Sequence, residues 1–258
     1  MWRNASESFG AIQTTYFARH KGEVNSCTFS PDCQILLTCS DDSRLYLWNA
    51  KSGKLVCKVK GHTGHQKSVE TVCFSPDSRQ LLSAGCDQTA ILWDLQQGKF
   101  IKTFSGHQDV IQSCSFSLNG QYMATGSWDY TVKVWDLLDG GRCRTLEGHT
   151  GNISCICFSV TGMMATGSWD KTVRVWSPHK GALIFLLTGH LGWLRSLAFS
   201  QDGILLASAG YDEMVNVWDC ETGKCLTTLE GVLDPAYACA FSPNGTLVLS
   251  GPIGQPNL

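Results

Sequence analysis

The chain has 258 residues, enough for one large domain with a well-buried core or for two small ones. A formal net charge of −2 with 16 % charged residues leaves no basic field for binding a phosphate backbone, so nucleic acid is set aside as a partner. The opening MWRNASESFGAIQ has no charged-then-apolar leader pattern, and the longest aliphatic run, ALIFLL at Ala182 to Leu187, is too short to span a bilayer. The expectation is a cytoplasmic protein, with the nucleus as the alternative location, and no membrane partner.

From the N-terminus, the first element is QTTYFA, Gln13 to Ala18, which has the pattern of an outermost strand and is followed by His20. Five units then follow, marked by Trp48, Trp93, Trp135, Trp176 and Trp218 at intervals of 45, 42, 41 and 42 residues. Each unit contains a strand such as IQSCSFS, a turn such as LNG, PDS or QDG, and a second strand such as QYMATGS. A third strand, YTVKVWD or KTVRVWS, carries the tryptophan. A Gly-containing turn then leads to a fourth strand, such as KCLTTLE. No helical period appears. The last element, AYACAFSPNGTLVLSG at Ala236 to Gly251, supplies two strands before the chain runs into PIGQPNL.

Thirteen cysteines, an odd number within strand-like segments, read as small apolar residues of a reducing compartment. Cys155/Cys157 and Cys220/Cys225 are the pairs to weigh as metal ligands, but neither has a second pair or a His pair at zinc-site spacing. No metal and no cofactor is expected.

The pair Gly-His at 106–107, 148–149 and 189–190, with Trp-Asp at 93–94, 135–136 and 218–219, resembles the WD-repeat family over nearly the whole chain. The resemblance implies an all-β fold, a β-propeller with five full blades plus one incomplete closing blade, a six-position ring. It also implies a single domain over residues 1–258, in which the N-terminal strand closes the last blade. The family role it implies is a rigid, non-catalytic scaffold that binds a protein or peptide, the chain being a monomer within a complex.

Each unit also repeats His, Ser or Thr, Asp and Trp in fixed order. The sets are His20, Thr38, Asp42, Trp48; His65, Ser83, Asp87, Trp93; His107, Thr125, Asp129, Trp135; His149, Thr166, Asp170, Trp176; and His190, Ser208, Asp212, Trp218. A His, a hydroxyl and a carboxylate invite a nucleophilic-catalysis reading. A catalytic group is needed once, however, and this one is present in every unit. The resemblance assigns the tetrad to bracing the blade, which leaves an enzyme as the least favoured function.

The tetrad is also a ruler. His to Asp is 22 residues in four units and 21 in the unit of His149, which selects His65 rather than His62 as the second unit's histidine. Yet His62 follows His20 by 42 residues, as if it opened a unit of its own. Two explanations stand: a seven-bladed protein has lost about 39 residues between Gly64 and His65, one unit less the three that remain, or a loop has gained three residues. At the C-terminal end, Val232 stands where the next His is due and Gly254 where the next Asp is due.

The residue before each tetrad Asp lies in a tight turn on the face of the His loops: Asp41, Cys86, Trp128, Trp169 and Tyr211. Three consecutive units thus present Trp128, Trp169 and Tyr211, with Trp193 in a neighbouring loop, and exposed aromatics of this kind anchor protein interfaces. The competing reading is that these rings pack on adjacent loops. A substrate receptor for a cullin-RING ubiquitin ligase is the alternative function. In this family it is often marked by Arg two residues after the Trp-Asp pair, where this chain has Gln96, Leu138 and Glu221.

Overall fold

The computed structural model describes residues 17–58, 64–230, 238–242 and 245–250. The first sheet comprises β1 (Val24–Phe29), β2 (Ile35–Ser40), β3 (Leu45–Asn49) and β4 (Leu55–Lys58). The second comprises β5 (Val69–Phe74), β6 (Gln80–Gly85), β7 (Ala90–Asp94) and β8 (Lys99–Phe104), and the third β9 (Ile111–Phe116), β10 (Tyr122–Ser127), β11 (Val132–Asp136) and β12 (Arg142–Leu146). The fourth holds β13 (Ile153–Phe158), β14 (Met164–Ser168), β15 (Val173–Ser177) and β16 (Ala182–Leu187), and the fifth β17 (Leu194–Phe199), β18 (Leu205–Gly210), β19 (Val215–Asp219) and β20 (Cys225–Leu229). The sixth is a hairpin of β21 (Ala238–Phe241) and β22 (Leu247–Ser250). Strands pair in chain order and antiparallel, giving five four-stranded sheets, the full blades, and one two-stranded sheet, a partial blade. No helix among the described residues is long and apolar enough to cross a membrane.

The residue pattern of each strand follows from its place in the blade. Second strands such as LLSAG are buried on both faces; the blade that holds this one is sandwiched between the first and the third. Outer strands such as RCRTL are exposed over most of their length. The hairpin joining first and second strands is closed by a serine: Ser75 Oγ donates to Asp77 Oδ1 at 2.6 Å and accepts from Gln80 N–H at 2.9 Å. In the fourth blade the same closure spans Ser159 to Met163, one residue shorter, which accounts for the 21-residue His-to-Asp interval there.

The first strand of each blade packs against the first strand of the next, β1 to β5, β5 to β9, β9 to β13, β13 to β17 and β17 to β21, so these strands line the inside of the arc. Blades one and two join through one core, in which Leu37, Cys39 and Leu47 meet Val69, Val72, Ile91 and Trp93. The open side lies elsewhere. Val69, Ile111, Ile153 and Leu194 are each at most 1 % exposed, covered by the preceding blade, whereas the equivalent Val24 is 52 % exposed. Phe74 and Phe116 are buried, whereas Phe29 is 57 % exposed.

Phe17, three residues before His20, packs edge-on against Trp48 with ring centroids 5.5 Å apart. Phe104, three residues before His107, packs in the same way against Trp135 at 5.2 Å, and it ends the outer strand of a preceding blade. Phe17 thus sits against Trp48 as Phe104 sits against Trp135. Residues 13 to 16 of the N-terminal segment, with His62, Val232, Gly254 and the stretch PIGQPNL, lie outside the described residues.

Candidate functional site

The five tetrads share one geometry. Trp135 Nε1 donates to Thr125 Oγ1 at 3.1 Å, Thr125 Oγ1 lies 2.9 Å from His107 Nε2, and His107 Nδ1 lies 2.7 Å from Asp129 Oδ2. Equivalent chains run through Trp48, Thr38, His20 and Asp42; through Trp93, Ser83, His65 and Asp87; through Trp176, Thr166, His149 and Asp170; and through Trp218, Ser208, His190 and Asp212. An indole N–H can only donate, so the hydroxyl accepts from it and gives its own proton to His Nε2. The histidine is then the neutral tautomer that donates from Nδ1 to the carboxylate. Each carboxylate also accepts the backbone N–H after the histidine, as from Gln108 to Asp129 at 2.9 Å, and ties the loop leading into the first strand to the turn after the second. The approach is close: a Cβ on Gly192 would stand 2.6 Å from Asp212 N.

The hydroxyls of Ser83, Thr125, Thr166 and Ser208 are fully buried, so a substrate could not reach them, and the oxygen that would attack is already accepting from tryptophan. The network holds charge in place instead. Burial would raise the carboxyl of Asp87, but bonds from His65, Thr89 and Gln66 outweigh it and hold it at about 2. Asp129 and Asp170 are held lower still by the same balance. Burial of His149 lowers its pKa and outweighs the pull of Asp170 toward the charged form.

These shifts predict a pH profile. A carboxylate with a depressed folded pKa contributes stability in full above its unfolded value, near 4, and loses it as pH falls through the folded value. His149, depressed below about 6.5, loses its contribution first on acidification. Burial pushes Cys155 and Cys220 up to about 12, so the thiols act in the opposite direction, their contribution falling as pH rises past the ordinary thiol range near 8.5. Melting temperature should therefore be highest between about pH 6.5 and 8.5 and fall most steeply below about pH 4. Thermal melts across pH 3 to 10 would check this, and a maximum at the acid end would contradict it.

Above the tetrads, every full blade offers three positions on one face. The first strand bulges once in each blade, so that Asn25, Glu70, Gln112, Ser154 and Arg195 drop out of the pairing register. A bulge of this kind re-aims the side chain out of the sheet. Four of the five reach the residue before their own blade's tetrad Asp. Asn25 Nδ2 donates to Asp41 Oδ1 at 2.8 Å, Cys86 Sγ donates to Glu70 Oε1 at 3.2 Å, Trp128 Nε1 donates to Gln112 Oε1 at 2.8 Å, and the Arg195 guanidinium sits 5.9 Å from the Tyr211 ring centroid. Ser154 turns to the next blade and donates to Leu194 O at 2.6 Å. The third position is the loop residue whose carbonyl accepts the turn N–H, as Trp193 O does from Tyr211 N at 2.9 Å.

The aromatic residues at these positions form one continuous band. Trp128 and Trp169 have centroids 5.7 Å apart, Trp169 and Trp193 stack at 4.6 Å with planes 8° apart, and Trp193 meets Tyr211 edge-on at 5.9 Å. Trp193 and Tyr211 keep 47 % and 41 % of their surface exposed, while Trp128 and Trp169 are half-buried. These rings pack on one another across blades, and the packed band still faces solvent. Among the described residues, no group of three or more His, Cys, Asp or Glu converges as a metal site would require.

The bulge residues are absent from the sequence reading. Their signal was a constant spacing, five residues after each tetrad histidine, shared by residues alike only in being polar.

A family model described as "WD domain, G-beta repeat" matches residues 11–49, 53–94, 98–136, 140–177, 181–219 and 223–254. Among curated proteins, the chain is similar to WD repeat-containing protein 38 of Mus musculus, 48 % identical over 46 residues, and to that of Homo sapiens, 50 % identical over 46 residues. Those stretches cover 18 % of this chain and 15 % of each relative's own length. An uncharacterized WD repeat-containing protein of Nostoc, alr2800, is 40 % identical over 47 residues, 18 % of this chain and 4 % of that protein.

Proposed function

The chain belongs to the WD-repeat family, and from that premise we propose that it is a non-catalytic platform binding a protein or peptide across the aromatic band of blades three to five. Proteins of this family generally act as interaction scaffolds and are typically non-catalytic. The observation that carries the reading is the band itself: four aromatic rings from three blades, in contact, with two of them more than 40 % exposed. Aromatic side chains offer large contact area at low entropy and dominate interface energetics. The five tetrads below hold the loops that carry these rings, so the platform is rigid before a partner arrives.

Affinity capture from cells followed by titration of the recovered partner tests this. Ala substitution at Trp128, Trp169 or Tyr211 is expected to weaken binding by about 2 kcal/mol each, roughly thirtyfold. Substitutions on outer strands, at Lys102 or Thr227, are expected to change it less than about twofold. Equal losses at both places would remove this face from consideration.

A further inference from the structure

Sorting the face by charge separates its two halves. The three positions per blade hold Glu23, Asn25 and Asp41 in blade one, Ser68, Glu70 and Cys86 in blade two, and Val110, Gln112 and Trp128 in blade three. They hold Asn152, Ser154 and Trp169 in blade four, and Trp193, Arg195 and Tyr211 in blade five. All the acids fall in blades one and two, and all the aromatics in blades three to five. Two of the acids are coupled: Ser68 Oγ lies 2.7 Å from Asp41 Oδ1 and 2.6 Å from Glu70 Oε1. A hydroxyl has one proton, so Ser68 donates to only one of these carboxylates; Asn25 Nδ2 donates to Asp41 and Cys86 Sγ to Glu70, so each carboxylate has a donor but neither has a cation. Among the described residues no Lys or Arg forms an ion pair with either group. Hydrogen bonds from Asn25 and Ser68 hold Asp41 below the ordinary carboxylate range, so it stays charged.

Resting on the binding role above, we propose that the partner is an extended peptide segment with a lysine or arginine beside an apolar or aromatic residue. The apolar group lies on the Trp169–Trp193 stack, and the basic group meets the carboxylates of Asp41 and Glu70. The order of blades fixes the direction: Glu70 is next in line to Gln112, which holds the Trp128 ring at the near end of the band. A cation there neutralises two carboxylates with which no Lys or Arg among the described residues forms an ion pair, and charge complementarity of this kind selects among partners that an aromatic surface alone would accept equally.

The test is selection from a phage-displayed random dodecapeptide library on the whole chain. Peptides that also bind the variant carrying Trp128→Ala, Trp169→Ala and Tyr211→Ala are removed by counter-selection. The expected survivors are enriched in Lys or Arg beside aromatic or aliphatic residues. Synthetic copies should lose about tenfold in affinity for Glu70→Gln, and Glu70→Lys should reverse the preference toward acidic peptides. Glu70→Gln keeps an acceptor for Ser68 and Cys86, so its melting temperature should match that of the parent and a loss of binding is not a loss of fold. Survivors without excess basic residues, or an affinity unchanged by Glu70→Gln, would overturn the basic-peptide inference while leaving the aromatic face as a binding site. A library in which counter-selection removes every binder would overturn both.

Discussion

Inserting one unit of about 39 residues between Gly64 and His65 is expected to raise the melting temperature and improve solubility. A seven-position ring turns about 51° per blade and a six-position ring about 60°. Blades set at the smaller angle leave a wedge open when one is missing. The open side lies on the first blade, with Val24 52 % and Phe29 57 % exposed while their counterparts in the next two blades are buried. Covering the remaining half of a valine and a phenylalanine contributes roughly 2 kcal/mol together. For a chain of this length that raises the melting temperature by about 4–8 °C. Closing the wedge also removes an uncovered sheet face that other chains can adhere to. Thermal unfolding and size-exclusion profiles of the two chains decide it, and a restored chain no more stable than this one would contradict both the lost unit and the open ring.

Asp129→Ala is expected to lower stability by on the order of 1–3 kcal/mol, or roughly 2–12 °C in melting temperature. The carboxylate accepts from His107 Nδ1, from Gln108 N–H, and from both the N–H and the hydroxyl of Thr131. Alanine leaves these donors in a half-buried pocket without partners, and the loss spreads along the chain. His107 is no longer fixed in the tautomer that accepts from Thr125, and Thr125 no longer offers Trp135 a well-placed acceptor. Trp135→Phe removes one donor at the far end and replaces the indole with a smaller phenyl ring; the lost hydrogen bond alone should cost less, about 0.5–1.5 kcal/mol. A larger effect for Trp135→Phe than for Asp129→Ala would mean that ring packing, not the hydrogen-bonded chain, carries the brace.

Much of this molecule is legible in its residues because its repeat is written in side chains. Tryptophans every 41 to 45 residues mark the third strands, and the 22-residue ruler selects His65, whose ring lies 2.8 Å from both Asp87 and Ser83. The bulges are harder to see. A bulge is a slip in backbone pairing, and any polar residue satisfies it, so Asn25, Glu70, Gln112, Ser154 and Arg195 share no residue type that a pattern could show. The Trp169–Trp193 stack is hidden for another reason. It joins residues 24 apart on different blades, and blade-to-blade rotation is set by core packing that residue spacing does not encode. The exposed face of β1 is likewise a property of the closing angle, and the strand VNSCTF reads like any other first strand.

Framework and function separate in one paired measurement on Asp129→Ala and on the triple variant Trp128→Ala, Trp169→Ala, Tyr211→Ala: melting temperature and partner affinity, the latter taken well below both midpoints. If the tetrads brace the blades and the aromatic band binds, Asp129→Ala melts several degrees lower yet keeps its affinity, within about twofold. The triple variant melts close to the parent and loses binding by more than about a hundredfold. An Asp129→Ala chain that melts normally but has lost the activity, or a triple variant that binds as well as the parent, would contradict that assignment.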